Sequence, residues 1–434
     1  MAATVVRLCG ALAVVAAALV QTDGAAFQSP PDNTVTVPGL GPTGPTDVPP
    51  NPTQADAVRF AWQAFVAVNW PSLRLVRGAP DRNKMIGQPG EVVWHTWKAP
   101  EEVFYDDGRK PPPWNEYAGV LPPECASAGA SRRDYLLRRT SKVPGDVANN
   151  ALMAAKEVAG GTLTDQHGNL VHFDARMNKT IFETITAREY FNIEGQDRAK
   201  AISFPAGVME VKAAWREIKA DEPPQSRLRY FRRDAWVYTP AFGPAPATCV
   251  KAQVGLVGLH ITQKTPSRPQ WMWATFEQVD NVPPFGPAPA SGPISYSFFN
   301  PACPPAQCVP NQSTEKNGVP TGIPTQVTRI VNIGAAAQQA NPAWQAALAK
   351  AAPGSAFQFY QLVDVQWPQT PANRPAGNPT PGLLANTTME TYIAQSSCLN
   401  CHFTARTASG KLSSDYSFML AEAHASSGTG RKSR

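Results

Sequence analysis

The sequence predicts an α+β protein that is mainly β. A strand-rich body, either a sandwich or a distorted barrel, would carry peripheral helices and a short helical C-terminal segment. Prolines are abundant, at 44 of 434 residues, and charged residues are scarce, at 17%, which disfavours long helices over most of the chain. Seven runs with strand character are separated by proline-rich connections. Helical patterns are few and lie mostly near the start and the end of the strand-rich body.

The strand runs are recognised by aromatic and β-branched residues and by alternating polarity. In the run 207–218, Met209, Val211 and Ala213 alternate with Glu210 and Lys212, so that one face can be buried. The seven predicted strands are 91–99, 207–218, 229–240, 249–265, 270–279, 325–333 and 355–368.

Helices are predicted where apolar residues recur at helical spacing. The first begins at residue 54, because Thr53 and Asp56 have the pattern of a capping box, and Pro71 ends it. Further helical stretches are predicted at 341–352, 387–402 and 414–425.

The first residues have the pattern of an export signal. Arg7 precedes the apolar run 8–20, and small residues suitable for cleavage follow it. The run is short for a transmembrane helix, and an uncleaved anchor is the alternative. We expect export to the periplasm and no integral membrane span once the signal is removed. The predicted segments are a signal peptide 1–26, a flexible Pro/Gly-rich leader 27–52, a β-rich body 53–381, a C-terminal segment 382–425 packed on the body, and a disordered basic tail 426–434.

The residues that carry chemistry lie near the C terminus, in "SSCLNCHFTA". Cys398 and Cys401 are spaced so that both thiols can add across the two vinyl groups of one haem, and His402 is then held under the iron as its proximal ligand. The sequence therefore predicts one covalently bound haem c. Three different roles for the pair stay open: a zinc site completed by Cys303 and Cys308, a thioredoxin-like redox pair, and a structural disulfide.

The remaining cysteines predict disulfides, since an exported protein folds in an oxidising compartment. Four are left once Cys9 in the signal and the motif pair are set aside. Cys303 and Cys308 are close enough in sequence to pair with each other, which leaves Cys125 with Cys249. Four cysteines allow three connectivities, and we expect this one.

The distal side of the iron has several candidate ligands. His260 lies in an apolar strand whose neighbouring glycines let a flat group approach the backbone, and iron would give this histidine a polar partner. Met209 lies on the apolar face of its strand, and Met419 follows His402 closely enough to reach around a porphyrin edge. Each of the three could equally be a core residue. His95 and His424 are weaker candidates, and the distal position could also lack a protein ligand.

The motif is accompanied by segments that resemble a known group of proteins. With "GVMEVKAAWRE", "GLVGLHI", "WMWATFEQVDNVP" and "SDYSFML", the chain is similar from about residue 53 onward to large exported bacterial proteins of the cytochrome c family. These proteins carry one haem-binding motif close to the C terminus. The resemblance implies haem c binding through Cys398, Cys401 and His402 and a redox role, with no particular substrate.

Charge and composition limit the kinds of partner that the protein is expected to bind. The formal net charge of +6 is mild for this length, and Lys and Arg form no dense cluster, which excludes a nucleic-acid footprint.

An electron-transfer protein would present a six-coordinate haem to a redox partner protein. A haem enzyme would act on peroxide, oxygen or a small organic substrate in a pocket of the β-rich body, and a binding module would use the haem as a relay. Electron transfer is the favoured hypothesis, and the sequence leaves open whether the chain is an enzyme.

Overall fold

A single mixed sheet of eight strands forms the centre of the structure, which confirms the α+β class. The computed structural model describes residues 35, 37–140, 161–284 and 296–427, and the chain from Thr36 onward belongs to one unit. The predicted signal peptide 1–26 lies outside the described residues. The strands are β1 Leu136–Leu137, β2 His172–Met177, β3 Met209–Glu217, β4 Arg232–Thr239, β5 Thr248–Gln263, β6 Met272–Gln278, β7 Tyr360–Pro368 and β8 Pro379–Thr380.

Strand β5 organises the sheet. Its first half pairs antiparallel with β4, and its second half lies between β3 and β6. Strand β7 pairs with β6 and β8 with β7, while β1 runs parallel to β4 and β2 antiparallel to β3. An isolated bridge joins Arg139, just after β1, to Phe173 of β2. The strands β2, β3, β5, β4 and β1 therefore form a ring of neighbours, which corresponds to the distorted barrel of the prediction.

Helix α1 (Gln54–Val68) begins as the sequence predicts. The hydroxyl of Thr53 accepts a hydrogen bond from the N–H of Asp56, and the carboxylate of Asp56 accepts one from the N–H of Thr53. The rings of Trp62 and Phe65 contact Phe276 of β6, with centroids 5.0 and 4.5 Å apart. Full burial of such a side chain contributes about 1.5–3 kcal/mol, so α1 is held on the sheet by its aromatic face.

The other helices are short or peripheral. The α-helices are α2 Pro123–Ser127, α3 Lys179–Ala187, α4 Ile193–Arg198, α5 Pro224–Arg227, α6 Ala335–Ala351 and α7 Cys398–His402, and the 3₁₀ helices are Val93–Thr96, Pro100–Glu102, Ala356–Phe359 and Phe418–Glu422. None of the helices in the described part of the chain is long and apolar enough to cross a membrane.

The sheet has two differently covered faces. Paired residues on neighbouring strands point to the same face, and the register aligns Lys212 with His260, and Trp273 with Gln366. The segment after residue 382 covers the face on which His260 and its strand partner Thr275 lie. Asn386 Nδ2 of this segment donates a hydrogen bond to the hydroxyl of Thr275. We call this face the C-terminal face. Helices α1 and α6 pack on the opposite face.

Two of the predicted strands have a different structure. Residues 93–96 form a 3₁₀ helix, in which the Thr96 hydroxyl donates to the Val93 carbonyl at 2.7 Å. Val93, Trp94 and His95 are all buried, so this run lacks the one-sided burial of an outer strand. The run 325–333 is not a strand, because its N–H groups bond to loops: Val327 N–H donates to the carbonyl of Phe298.

The helical prediction at 387–402 is correct only at its end. A turn replaces the first part, because the carboxylate of Glu390 accepts a hydrogen bond from the N–H of Asn386 and the side chain of Asn386 bonds to the sheet. These polar contacts compete with helical hydrogen bonds. The helix that remains is α7.

Both predicted disulfides are present. Cys125 of α2 is bonded to Cys249 of β5, and Cys303 is bonded to Cys308. The first closes a loop across 124 positions and the second across five, so they constrain the unfolded chain very differently. Disulfides are expected of a protein that folds in an oxidising compartment.

The described ends of the chain are attached to the body. In the predicted leader, Val48 is buried and the carboxylate of Asp47 accepts a hydrogen bond from the N–H of Ser267 at 3.0 Å. In the predicted tail, Ser427 N–H donates to the Asp107 carbonyl at 3.1 Å. These contacts attach the described parts of both segments to the body.

Candidate functional site

The cysteine motif forms one helical turn anchored on β7. Ser397 caps α7 through its side chain. The side-chain oxygen of Gln366 accepts hydrogen bonds from the N–H of Leu399 at 2.8 Å and from the hydroxyl of Ser397 at 3.1 Å, and Leu399 is fully buried. Because Cys398 and Cys401 are three residues apart on a helix, their side chains lie on one face. Both thiols can therefore reach the same ligand.

His402 is oriented by one hydrogen bond and two rings. Its Nδ1 lies 2.8 Å from the carbonyl oxygen of Tyr416. A carbonyl only accepts, so Nδ1 carries a proton, and in a neutral imidazole Nε2 is then the nitrogen that can bind a metal. The rings of Trp273 and Phe418 lie 4.2 and 4.8 Å from the imidazole, centroid to centroid. Position and tautomer are thus both those of a metal-binding histidine whose other nitrogen is held by the backbone.

A tight turn aims the Tyr416 carbonyl at His402. Asp415 and Tyr416 both have positive φ, 53° and 72°, a conformation that non-glycine residues rarely adopt. The carboxylate of Asp415 accepts hydrogen bonds from Nζ of Lys264 at 2.6 Å and from the N–H of Phe204 at 2.7 Å. Burial raises the pKa of Asp415, against the opposing effect of the Lys264 cation. The turn is therefore tied to the body by a buried ion pair.

An open cavity of about 740 Å³ lies beside the motif, and Cys401 lines it. Ile330 and Leu383 form part of its wall and are 45% and 48% exposed. Pockets that hold organic ligands have volumes of about 300–1,000 Å³ and predominantly apolar walls. Cys401, Ile330 and Leu383 therefore give the cavity one thiol and an exposed aliphatic wall of a kind that a haem requires, whereas Cys398 and His402 do not line it.

His260 lies close to this cavity but not on its wall. The residue is on the C-terminal face, and its Nε2 is 3.5 Å from Oε2 of Glu390. Glu390 directly precedes Thr391, which lines the cavity. The structure therefore places His260 behind Glu390.

The two methionine candidates lie on different sides of the sheet. Glu210 bonds to the side chain of Ser417, on the C-terminal face, and because side chains alternate along a strand its neighbour Met209 points to the opposite face. Met419 is buried next to Phe418, whose ring packs on His402. Only Met419 is on the side of the sheet where the motif lies.

The remaining two histidine candidates make their contacts elsewhere. Nδ1 of His95 accepts a hydrogen bond from Arg233 at 2.6 Å, and its ring lies against Trp215. Burial, together with the charge of Arg233, holds the pKa of His95 well below its usual value. Nε2 of His424 is 3.7 Å from a carboxylate oxygen of Asp106.

The alternative of a zinc site at the motif lacks its second pair of ligands. Cys303 and Cys308 are bonded to each other, so they supply no thiolates. Within the residues that the structure describes, no group of three or more His, Cys, Asp or Glu side chains is arranged to hold a metal ion.

No family model, curated protein or solved structure matches the chain. The geometry of the site therefore carries the functional argument. The resemblance to the cytochrome c family stays a prediction.

Several residues of the site have no signal in the sequence that marks them. Tyr416 acts through its backbone, which any residue could supply, and Gln366 is one polar residue in an otherwise ordinary strand. Trp273 lies in β6, but only the register with β7 brings it to the motif. Phe418 lies in the segment expected to be helical, with nothing to distinguish it from a core residue.

Proposed function

We propose that this protein is a periplasmic c-type cytochrome with one haem bound covalently by Cys398 and Cys401 and ligated by His402. The observation that carries the proposal is the hydrogen bond from His402 Nδ1 to the carbonyl of Tyr416, because it leaves Nε2 as the metal-binding atom. The exposed aliphatic wall beside Cys401 supports it. The resemblance of the surrounding segments to the cytochrome c family points the same way.

Attachment requires only the two thiols. Each thiol would add across one vinyl C=C bond, so that an S–C bond would form and the thiol hydrogen would pass to the other vinyl carbon. No group leaves and no oxidant is consumed. Thioether bonds retain the cofactor even in an open pocket, which suits a cavity that is open to solvent on one side.

The chain's own residues would orient and tune the site. Trp273 and Phe418 restrict rotation of the imidazole, and the Tyr416 carbonyl makes Nε2 a stronger donor to the metal. Bound haem supplies a one-electron carrier, since its iron alternates between the ferric and ferrous states. Ile330 and Leu383 exclude water from part of the pocket, which helps to set the potential.

Electron transfer with a redox partner protein is the role that we favour. The cavity opens beside the motif, so an edge of the cofactor would be accessible to a docked partner. The two disulfides support export to an oxidising compartment. The body adds Pro310, Asn311 and Ile330 to a cavity wall that comes mostly from the C-terminal segment, and it places Trp273 beside His402.

A haem-dependent oxidoreductase acting on peroxide, oxygen or a small organic substrate is the second candidate. One observation favours it: His260 and Glu390 lie 3.5 Å apart, and Glu390 directly precedes Thr391 of the cavity wall. An imidazole and a carboxylate at this separation can pass a proton to or from a substrate.

Absorbance spectra of the purified mature protein test the proposal. We expect a Soret band and sharp bands after reduction, and loss of both in the double variant Cys398→Ala/Cys401→Ala. The matched control, Cys303→Ala/Cys308→Ala, should keep them. A reduced spectrum unmoved by carbon monoxide supports electron transfer, whereas rapid carbon monoxide binding supports the oxidoreductase. Wild-type protein without a Soret band would overturn the proposal.

A further inference from the structure

The connection between α1 and the 3₁₀ helix Val93–Thr96 contains an ordered, projecting loop. We call residues 72–85 the apolar loop. The N–H of Leu73 donates to the carbonyl of Ala79 at 2.7 Å, and the N–H of Asp81 donates to the carbonyl of Pro71 at 2.8 Å. These hydrogen bonds close the loop on itself, so that its tip is a defined structure.

The loop exposes an unusual concentration of aliphatic side chains. Leu73, Leu75, Val76 and Met85 are four of the eleven large apolar side chains that are exposed in the described part of the chain. Leu75 is 80% exposed, more than any other of the eleven. Single exposed apolar residues are common on protein surfaces, but a contiguous group marks an interaction site.

The tip is held in a strained conformation by its base. Leu75 has a φ of 65°, which a bulky side chain rarely adopts and which persists only where the surroundings impose it. The buried guanidinium of Arg77 bonds to Glu102 at 2.9 Å and lies over the ring of Tyr117 at 4.0 Å. The N–H of Gly78 donates to the hydroxyl of Thr96 at 2.7 Å. The fold thus maintains Leu75 in solvent instead of letting the loop collapse onto the body.

Basic residues surround this tip. A groove of about 550 Å³ runs beside it, and its lining includes Arg74, Lys84 and Arg133 as well as the acidic Glu91, which pairs with Arg233. Arg82, also exposed, adds a further positive charge. Asp81 is the one acidic residue in 72–85.

We propose that the apolar loop docks the protein on the surface of an anionic phospholipid membrane. Leu73, Leu75 and Val76 would enter the boundary between headgroups and acyl chains, and Arg74 and Lys84 would contact lipid phosphates. Projecting aliphatic side chains beside basic ones are what an anionic bilayer surface accepts. A protein partner would instead need a preformed apolar pocket with an acidic rim. This inference does not depend on the haem.

Co-sedimentation of the purified mature protein with vesicles tests this proposal. We expect binding to phosphatidylcholine vesicles that contain phosphatidylglycerol, weaker binding to pure phosphatidylcholine, and a decrease with added salt. Leu75→Asp should weaken binding about tenfold or more, because it removes an inserted side chain. Arg74→Gln and Lys84→Gln should each weaken it about fivefold.

A matched control separates the loop from general surface hydrophobicity. Leu228, next to α5, is 57% exposed, and Leu228→Asp should bind vesicles as the wild type does. Circular dichroism establishes that each variant is folded. Wild-type protein that ignores anionic vesicles, or that binds only an acidic protein through this loop, would overturn the proposal. Equal losses in Leu75→Asp and Leu228→Asp would do the same.

Discussion

The imidazole of His402 donates a hydrogen bond from Nδ1 to the carbonyl oxygen of Tyr416 across 2.8 Å. This contact joins the cysteine motif to the turn at Asp415 and Tyr416, so the C-terminal segment itself orients the imidazole. The segment supplies the orienting carbonyl, the ring of Phe418 and most of the cavity wall, whereas the body supplies Trp273 and the wall residues Pro310, Asn311 and Ile330.

The ion pair between Lys264 and Asp415 should be important for stability, because both side chains are buried. Lys264→Met leaves the carboxylate of Asp415 without its cation in a site where burial already raises its pKa. We expect the free energy of unfolding in urea to fall by about 3–5 kcal/mol. Lys411→Met removes the exposed pair with Asp197 and should cost about 1 kcal/mol or less. Equal effects of the two variants would contradict this account of the turn.

Glu210 should make stability depend on pH. Burial raises its pKa to about 7, whereas the same carboxyl in the unfolded chain has its ordinary pKa of 4.5. Between these values the folded state binds more protons than the unfolded state, so stability falls as pH rises from about 4.5 to about 7. Glu210→Gln should remove this fall and add about 3 kcal/mol above pH 7.

Urea unfolding of Glu210→Gln at a series of pH values checks this prediction. The control is Glu183→Gln, which removes one carboxylate from the exposed face of α3 and should leave the pH profile as it is. A wild-type profile that rises across this range, or one that Glu210→Gln does not change, would contradict the prediction.

The two disulfides should differ in their contribution to stability. The Cys125–Cys249 bond spans 124 positions, and chain entropy predicts a contribution of about 5 kcal/mol. The Cys303–Cys308 bond spans five and should contribute about 2 kcal/mol. Thermal unfolding of Cys125→Ser/Cys249→Ser should therefore show much the larger decrease in Tm, and the reverse order would be inconsistent with this picture.

The distal ligand can be tested by paired substitutions. Met419 is buried beside Phe418, which packs on the proximal histidine, whereas His260 lies behind the cavity wall. We therefore expect His260→Ala to convert the iron from low to high spin in the absorbance spectrum and Met419→Leu to leave it low spin. A change in Met419→Leu alone would reverse this assignment. A wild-type iron that is already high spin would indicate an open distal position and favour the oxidoreductase.

The sequence was most informative where local chemistry and burial agree. The capping box at Thr53 begins α1 as predicted. The predicted strand that contains His260 is β5, and two further predicted strands are its neighbours β3 and β6. The proposal of haem attachment came from the spacing of Cys398, Cys401 and His402 alone. The disulfide Cys125–Cys249 followed by elimination once the remaining cysteines were assigned.

The rest depends on contacts between distant segments. The run at 91–99 has apolar residues at both even and odd positions, so it could not reveal that Trp94 and His95 are buried in a 3₁₀ helix. The turn at Asp415 and Tyr416 uses positive φ values without glycine, and its tie to Lys264 crosses 151 positions. A single sequence carries no sign of such a pair.

The mass of the peptide that contains Cys398 and Cys401 tests the central claim most directly. Purified mature protein is digested, the peptide spanning α7 is isolated, and its mass is measured by mass spectrometry. We predict a mass increased by one haem that survives acid extraction, because two thioether bonds hold the cofactor. A peptide with the unmodified mass, or two thiols that react freely with an alkylating reagent, would contradict the account.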